Sequence, residues 1–192
     1  VEVAQHDPDA RLVKPQRVLP TTVEFVDIAG LVSGAAQGEG LGNQFLAHIR
    51  ETDAIAQVVR CFEDEDVIHV AGRVGPVSEI EIINTELALA DLETVSRAIT
   101  RLTRAAKSQD KEAIARLEIA ERVAAGLDKG TPVRAQALSA EALALLRDLH
   151  LLTAKPLVYI ANVAEDGFGE NPLLAQVEAR ASQEGAEVVP VC

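Results

Sequence analysis

The sequence predicts an α/β fold in which a mostly parallel sheet is interrupted by a long helical hairpin. Two observations carry that expectation. Short runs of branched apolar residues at Val23–Ile28, Ile55–Phe62, Pro156–Ala161 and Glu187–Cys192 read as strands, and helical segments separate them, not hairpin turns. Between the second and third of these runs, residues 77–107 contain neither glycine nor proline and repeat apolar residues at helical spacing. An order of strand, helix and strand suits βαβ units with right-handed crossovers, and a separate helical block at roughly 76–150 then interrupts the α/β part.

Each element has its own signature. Residues 1–22 are punctuated by Pro8, Pro15 and Pro20 and are expected to be irregular. Val23, Phe25, Val26 and Ile28 supply strand bulk, and the run then meets five glycines between Ala29 and Asn43, a segment expected to order only against a ligand or partner. Asn43 suits the cap of a short helix in which Phe45, Leu46 and Ile49 share a face. After an acidic run at Glu63–Asp66, Gly72, Gly75 and Pro76 mark a boundary. The long helix carries Ile80, Ile83, Leu87 and Ala90 on one stripe, continued after a one-residue slip by Val95, Ile99, Leu102 and Ala106. Ala113, Leu117, Ala120, Ala124 and Leu127 alternate spacings of four and three, so two helices joined near Ser108–Asp110 make an antiparallel, coiled-coil-like hairpin. Ser139 is expected to cap a third helix running to His150, and Pro172 to Glu184 form the last helix.

Composition narrows the function classes. At 192 residues, 48% of them apolar, the chain can build one domain carrying an insertion. It has no run long enough to span a bilayer and no signal-peptide pattern. Two cysteines do not make a disulfide framework, so a reducing, cytoplasmic setting is expected. A net charge of −12 argues against a general nucleic-acid footprint, and no direct DNA binding is expected. Arg97, Arg101, Arg104 and Lys107 line one helix face, read as a solvated face paired with carboxylates. His6, His48 and His150 are scattered, and no His/Cys/Asp spacing resembles a zinc site. No methionine occurs anywhere, and the chain reads as an internal piece of a longer protein.

The chemistry is expected at two loops that follow strands, where open parallel sheets bind ligands. Asp27-Ile28-Ala29-Gly30 has the Asp-x-x-Gly form with which P-loop nucleoside-triphosphatases sense a terminal phosphate. The aspartate serves the metal, and the glycine lets a backbone N–H approach the γ-phosphate. Asn162-Val163-Ala164-Glu165 is similar to the Asn-Lys-x-Asp base-reading motif of GTPases, with changed chemistry. In that motif the aspartate accepts from the N1–H and amine of guanine. Adenine presents an unprotonated N1 there, and a carboxylate would be repelled. Glu165 is one methylene longer and Val163 replaces the lysine, which weakens guanine and leaves room for adenine. Gly38-Glu39-Gly40-Leu41-Gly42 has its glycines at the wrong offset for a dinucleotide fingerprint. Leu31 stands where Ras-type GTPases place a water-orienting glutamine, and cannot hydrogen-bond water. His69, in the loop between sheet and insertion, is a candidate for that task, beside the plainer reading of a histidine bound to backbone.

Longer blocks identify the family. Val23 to Val32, Gly38-Glu39-Gly40-Leu41-Gly42-Asn43-Gln44-Phe45-Leu46, Ile49-Arg50-Glu51-Thr52-Asp53-Ala54, Val59-Arg60-Cys61-Phe62, Asn84 to Leu92 and Tyr159-Ile160-Ala161-Asn162-Val163 resemble the YchF family, the Obg-like ATPases. The resemblance runs along nearly the whole chain. It implies a P-loop domain split by a coiled-coil insertion, followed by a β-rich TGS domain. It also implies an ATPase preferring adenine over guanine nucleotides, with Mg²⁺, associated with the ribosome. By resemblance, Asp27 (towards magnesium, through water) and Gly30 fall in the phosphate-sensing motif. Asn162, Val163 and Glu165 fall in the altered base-reading motif, with Val163 against adenine. Cys192 falls where the last nucleotide motif begins, and His69 falls on the histidine that replaces the glutamine. The expected organisation is therefore 1–75 as the first part of the nucleotide domain, 76–150 as the insertion and 151–192 as the second part. The chain is expected to act as a monomer. Neither the family's phosphate loop nor its TGS domain appears in the sequence, so the chain as written is expected to bind ATP poorly. A non-catalytic module acting through the hairpin, and a guanine-specific switch GTPase, are the competing readings.

Overall fold

A computed structural model describes residues 22–28, 41–63 and 75–192. Among the described residues the sheet has three parallel strands, β1 (Ile55–Arg60), β2 (Leu157–Asn162) and β3 (Glu187–Val191), in that spatial order. Register is continuous across them: Arg60 lies opposite Asn162, and Asn162 opposite Val191. All three strands therefore end at one edge. Each lies within two residues of its expected bounds.

The helices, in sequence order, are α1 (Leu41–Glu51), α2 (Pro76–Ala106), α3 (Lys111–Asp128), α4 (Ala140–Leu145) and α5 (Pro172–Glu184). α1 begins at Leu41, two residues before the expected cap. Its face of Leu46 and Ile49 packs with Leu87, Ala90 and Leu152, and Phe45 flanks that cluster. α2 opens with proline in its first turn, where no N–H is needed, and runs 31 residues. α3 starts at Asp110, whose side chain accepts from the N–H groups of Glu112 and Ala113. Between them α2 and α3 form the expected hairpin. Val95, Ala98 and Leu102 meet Ala113, Ala120, Val123 and Leu127 in one buried cluster, joined by Val133, Leu146 and Leu149. On its outer face Arg97 pairs with Glu93 at 3.4 Å, both exposed.

Two expectations fail. Residues 22–28 form no strand: Phe25 is 82% exposed, Val23 and Val26 are exposed too, and only Ile28 reaches a core cluster. A strand needs a hydrogen-bonding neighbour, and among the described residues this run has none. The third insertion helix is also shorter than expected. Ser139 caps α4 by accepting from the N–H of Ala142, but the helix stops at Leu145, and a 3₁₀ turn spans Arg147–Leu149. Leu146 and Leu149 are both buried in the hairpin cluster, so the tighter turn carries the chain across it. His150 then takes a left-handed conformation at φ 47°.

Two buried polar groups tie the helices to the sheet. Asp91, fully buried in α2, accepts from the N–H groups of Leu152 and Thr153, each at 2.8 Å, and from Thr153 Oγ1 at 2.7 Å. Burial pushes its carboxyl up, and the same backbone donors oppose that push. Glu184, at the end of α5, accepts four bonds. Arg180 Nε and Asn84 Nδ2 donate to Oε1, and the Tyr159 hydroxyl and Arg134 Nη2 to Oε2. The carboxylate thus joins α2, β2, α5 and the 3₁₀ turn Val133–Ala135. Burial pushes the Tyr159 phenol up to about 12.

Removing the Asp91 carboxylate leaves three buried donors without their acceptor. Asp91→Ala is expected to lower stability by about 3 kcal/mol, read as a drop in urea midpoint with unchanged slope. Exposed Glu93→Ala, on the same helix, should shift it by less than about 0.5 kcal/mol.

Candidate nucleotide site

The site grows from the shared strand edge. β2 ends at Asn162, which is half-buried, and its carbonyl accepts from the N–H of Cys61 at 2.7 Å, just beyond the end of β1. On the other side the N–H of Val163 donates to the Val191 carbonyl at 2.8 Å. Main-chain bonds thus hold Asn162 and Val163 from both neighbours. Cys192 is exposed beside them, following Val191.

Val163 itself is 2% exposed, in the cluster of Val59, Cys61, Tyr159, Ala161, Leu174 and Val177. Its side chain anchors the loop in the core, whereas the resemblance implied that it meets a base. Glu165 and Asp166 are exposed. The loop turns at Gly167, whose N–H donates to the Ala164 carbonyl at 2.8 Å, and enters α5 through Asn171. Asn171 is a structural residue of this loop that the sequence reading missed. An asparagine before a proline at a helix start signals a cap, but nothing in the sequence marks its second role, towards Cys61.

Asp27 is exposed on a segment that belongs to no helix or strand, and its neighbour Ile28 packs against the cluster of Leu46, Ile49, Leu87, Ala90 and Leu152. The two halves of the expected site thus adjoin different core clusters, and Asp27 does not end a strand of the sheet. Gly30, Leu31 and His69 lie outside the described residues, as does most of the glycine-rich run. Among the described residues no cluster of three His, Cys, Asp or Glu side chains could hold a metal by itself. A single exposed carboxylate such as Asp27 fits magnesium, which keeps most of its waters and takes one or two protein carboxylates beside phosphate oxygens. Among the described helices none is long and apolar enough to cross a membrane.

The parallel sheet with its helices is that of the P-loop GTPase-like class. The model of the 50S ribosome-binding GTPase family matches residues 3–162. The chain belongs to that family, in its YchF branch. It is 60% identical over 183 residues to the ribosome-binding ATPase YchF of Escherichia coli O157:H7, covering 95% of this chain and 50% of that protein. To the ribosome-binding ATPase YchF of Bacillus subtilis it is 47% identical, covering 94% and 50%. The solved structure of the Schizosaccharomyces pombe YchF GTPase superposes with a TM-score of 0.75 at 34% identity, covering 95% of this chain and 51% of that one. The chain spans about half the length of the curated relatives it matches. Their names differ over the nucleotide, ATPase for the bacterial proteins and GTPase for the yeast one.

The two cysteines should differ chemically. Cys61 is buried, and burial, reinforced by the Glu79 charge, raises its thiol to about 11. At pH 8 only roughly one Cys61 in a thousand would be thiolate, before its lack of access is counted. A thiol-reactive dye is expected to label Cys192 within minutes and Cys61 only on unfolding. The raised value also has a sign: Cys61 favours the fold fully below its ordinary 9.0, and that contribution is lost as pH rises through about 11.

Proposed function

We propose that this chain forms the central part of an ATP-hydrolysing P-loop protein that works with the ribosome. The observation that carries the reading is the meeting of Asn162, the Val163–Glu165 loop and Cys192 at one strand edge, where α/β sheets bind their ligands. The names of the bacterial relatives support both the nucleotide and the ribosome. Residues 1–75 and 151–192 make the nucleotide-binding part and 76–150 a helical insertion, whose hairpin has its own buried cluster. The protein acts as a cytoplasmic monomer, with any GTPase activity as a side reaction.

In this reading Asn162 binds the base edge, and Glu165, one methylene longer than the aspartate of guanine-binding proteins, loses the geometry that pairs a carboxylate with guanine. Val163 fixes the loop through the core and leaves no ammonium where guanine-binding proteins carry lysine. Asp27 would hold magnesium through water, and Gly30 would present its N–H to the γ-phosphate. Magnesium, when bound, neutralises charge on the phosphoryl oxygens. Water attacks the γ-phosphorus, a new P–O bond forms, and the bond to the β,γ-bridging oxygen breaks with ADP as leaving group. Leu31 cannot direct that water, and His69 orders it.

Two measurements on an intact chain that includes the phosphate loop test this. ATP is expected to bind about tenfold more tightly than GTP or better, and tighter GTP binding would reject the adenine assignment. His69→Ala is expected to slow single-turnover hydrolysis on the order of 100-fold with ATP affinity retained, and a normal rate would remove His69 from the mechanism.

A further inference from the structure

Asn171 spends both hydrogen-bonding ends of its side chain on the helix that follows, on the loop after β2 and on the end of β1. Its Oδ1 accepts from the N–H groups of Leu173 and Leu174 at 3.0 and 3.1 Å, which caps α5. Its Nδ2 donates to the Cys61 carbonyl at 2.9 Å and to the Gly167 carbonyl at 3.2 Å. The cap needs only the acceptor. The donor half binds the turn of the loop to the end of β1, which a helix start does not require.

The Cys61 peptide is the meeting point. Its N–H holds the Asn162 carbonyl, and its own carbonyl receives Asn171. Both ends of the 162–171 loop are therefore fastened to one residue of the neighbouring strand. Gly167 makes the closure tight. A Cβ there would stand 3.1 Å from the nitrogen and the oxygen of Ala164 and 3.2 Å from Asn171 Nδ2. A side chain there would push Ala164 or Asn171 away by a few tenths of an ångström, so the loop that carries Glu165 is closed tightly at this glycine.

We propose that Asn171 is the positioning residue for base recognition. By holding Cys61 and Gly167 on one amide, it sets where Asn162 and Glu165 stand, and so sets the preference between adenine and guanine nucleotides. The inference rests on the reading above that this loop meets the base. Asn171 touches no nucleotide in this scheme, and its effect passes through the loop.

The acceptor and donor roles can be separated. Asn171→Asp keeps the cap, since a carboxylate suits a helix N-terminus, but sets an oxygen against two carbonyls. Asn171→Ser keeps a hydroxyl cap and loses both donations without that repulsion. In an intact chain with its phosphate loop, both variants are expected to keep the wild-type circular dichroism and melting temperature within a few degrees. Both should bind ATP about tenfold more weakly, with the ATP-to-GTP affinity ratio falling towards one and kcat at saturating ATP within about twofold of wild type. If the ratio and the ATP affinity stay at wild-type values in both variants, the inference is overturned while the base-reading assignment stands. If the wild type itself shows no preference between ATP and GTP, the assignment fails and this inference with it.

Discussion

The architecture depends on the carboxylate of Asp91. It lies at full burial in the middle of α2 and takes three hydrogen bonds from two successive residues, Leu152 and Thr153, at the point where the chain returns from the helical block to the sheet. Without it, two backbone N–H groups and a hydroxyl would face an apolar site unpaired, which is dearer than the net value of the bonds themselves. The Thr153 hydroxyl also accepts from the N–H of Val133, and its carbonyl from Arg134. Arg134 then reaches Glu184, and Glu184 reaches Tyr159 in β2. One chain of polar contacts therefore runs from the hairpin to the strand that ends at Asn162. A charged group with every partner in place fixes orientation more sharply than apolar packing alone, because each donor admits only a narrow range of directions.

The strand edge shows the same economy on a smaller scale. Cys61 contributes no chemistry through its buried thiol, and its role lies in its peptide group, which Asn162 and Asn171 share. Parallel register makes this possible, since Arg60, Asn162 and Val191 end at one level and the loops beyond them begin as neighbours. Two main-chain bonds from the sheet, the buried Val163 side chain and the Asn171 amide together hold the loop after β2.

Elements governed by periodicity were legible in the sequence. The hairpin followed from glycine-free spacing, the parallel sheet from short branched runs between helices, and α5 from its proline. Val23–Ile28 was not, because its composition is that of a strand whereas pairing depends on a neighbour that composition does not name. The end of α4 was not, because no glycine or proline marks it and the burial of Leu146 and Leu149 decides it. Among candidate site residues, motif spacing pointed to Asn162, Glu165 and Cys192, and the strand register sets Asn162 opposite Val191, the neighbour of Cys192. Val163 was misread in its contacts, since a valine in a motif and a valine in a core look alike until the loop is folded. The donor role of Asn171 was missed because its bond to Cys61 spans 110 residues of sequence.

α2 has a further consequence, one of leverage. Its first turns pack on the sheet through Ile80, whose cluster includes Val59 and Tyr159, and its last turns lie in the hairpin at Leu102. Thirty-one residues of α-helix extend about 46 Å at 1.5 Å per residue. A tilt of ~10° about the Ile80 end would therefore carry the hairpin tip ~8 Å, by the same rise per residue. Such a shift is larger than a side chain, so a small rearrangement at the sheet would be felt at the tip as a change of position.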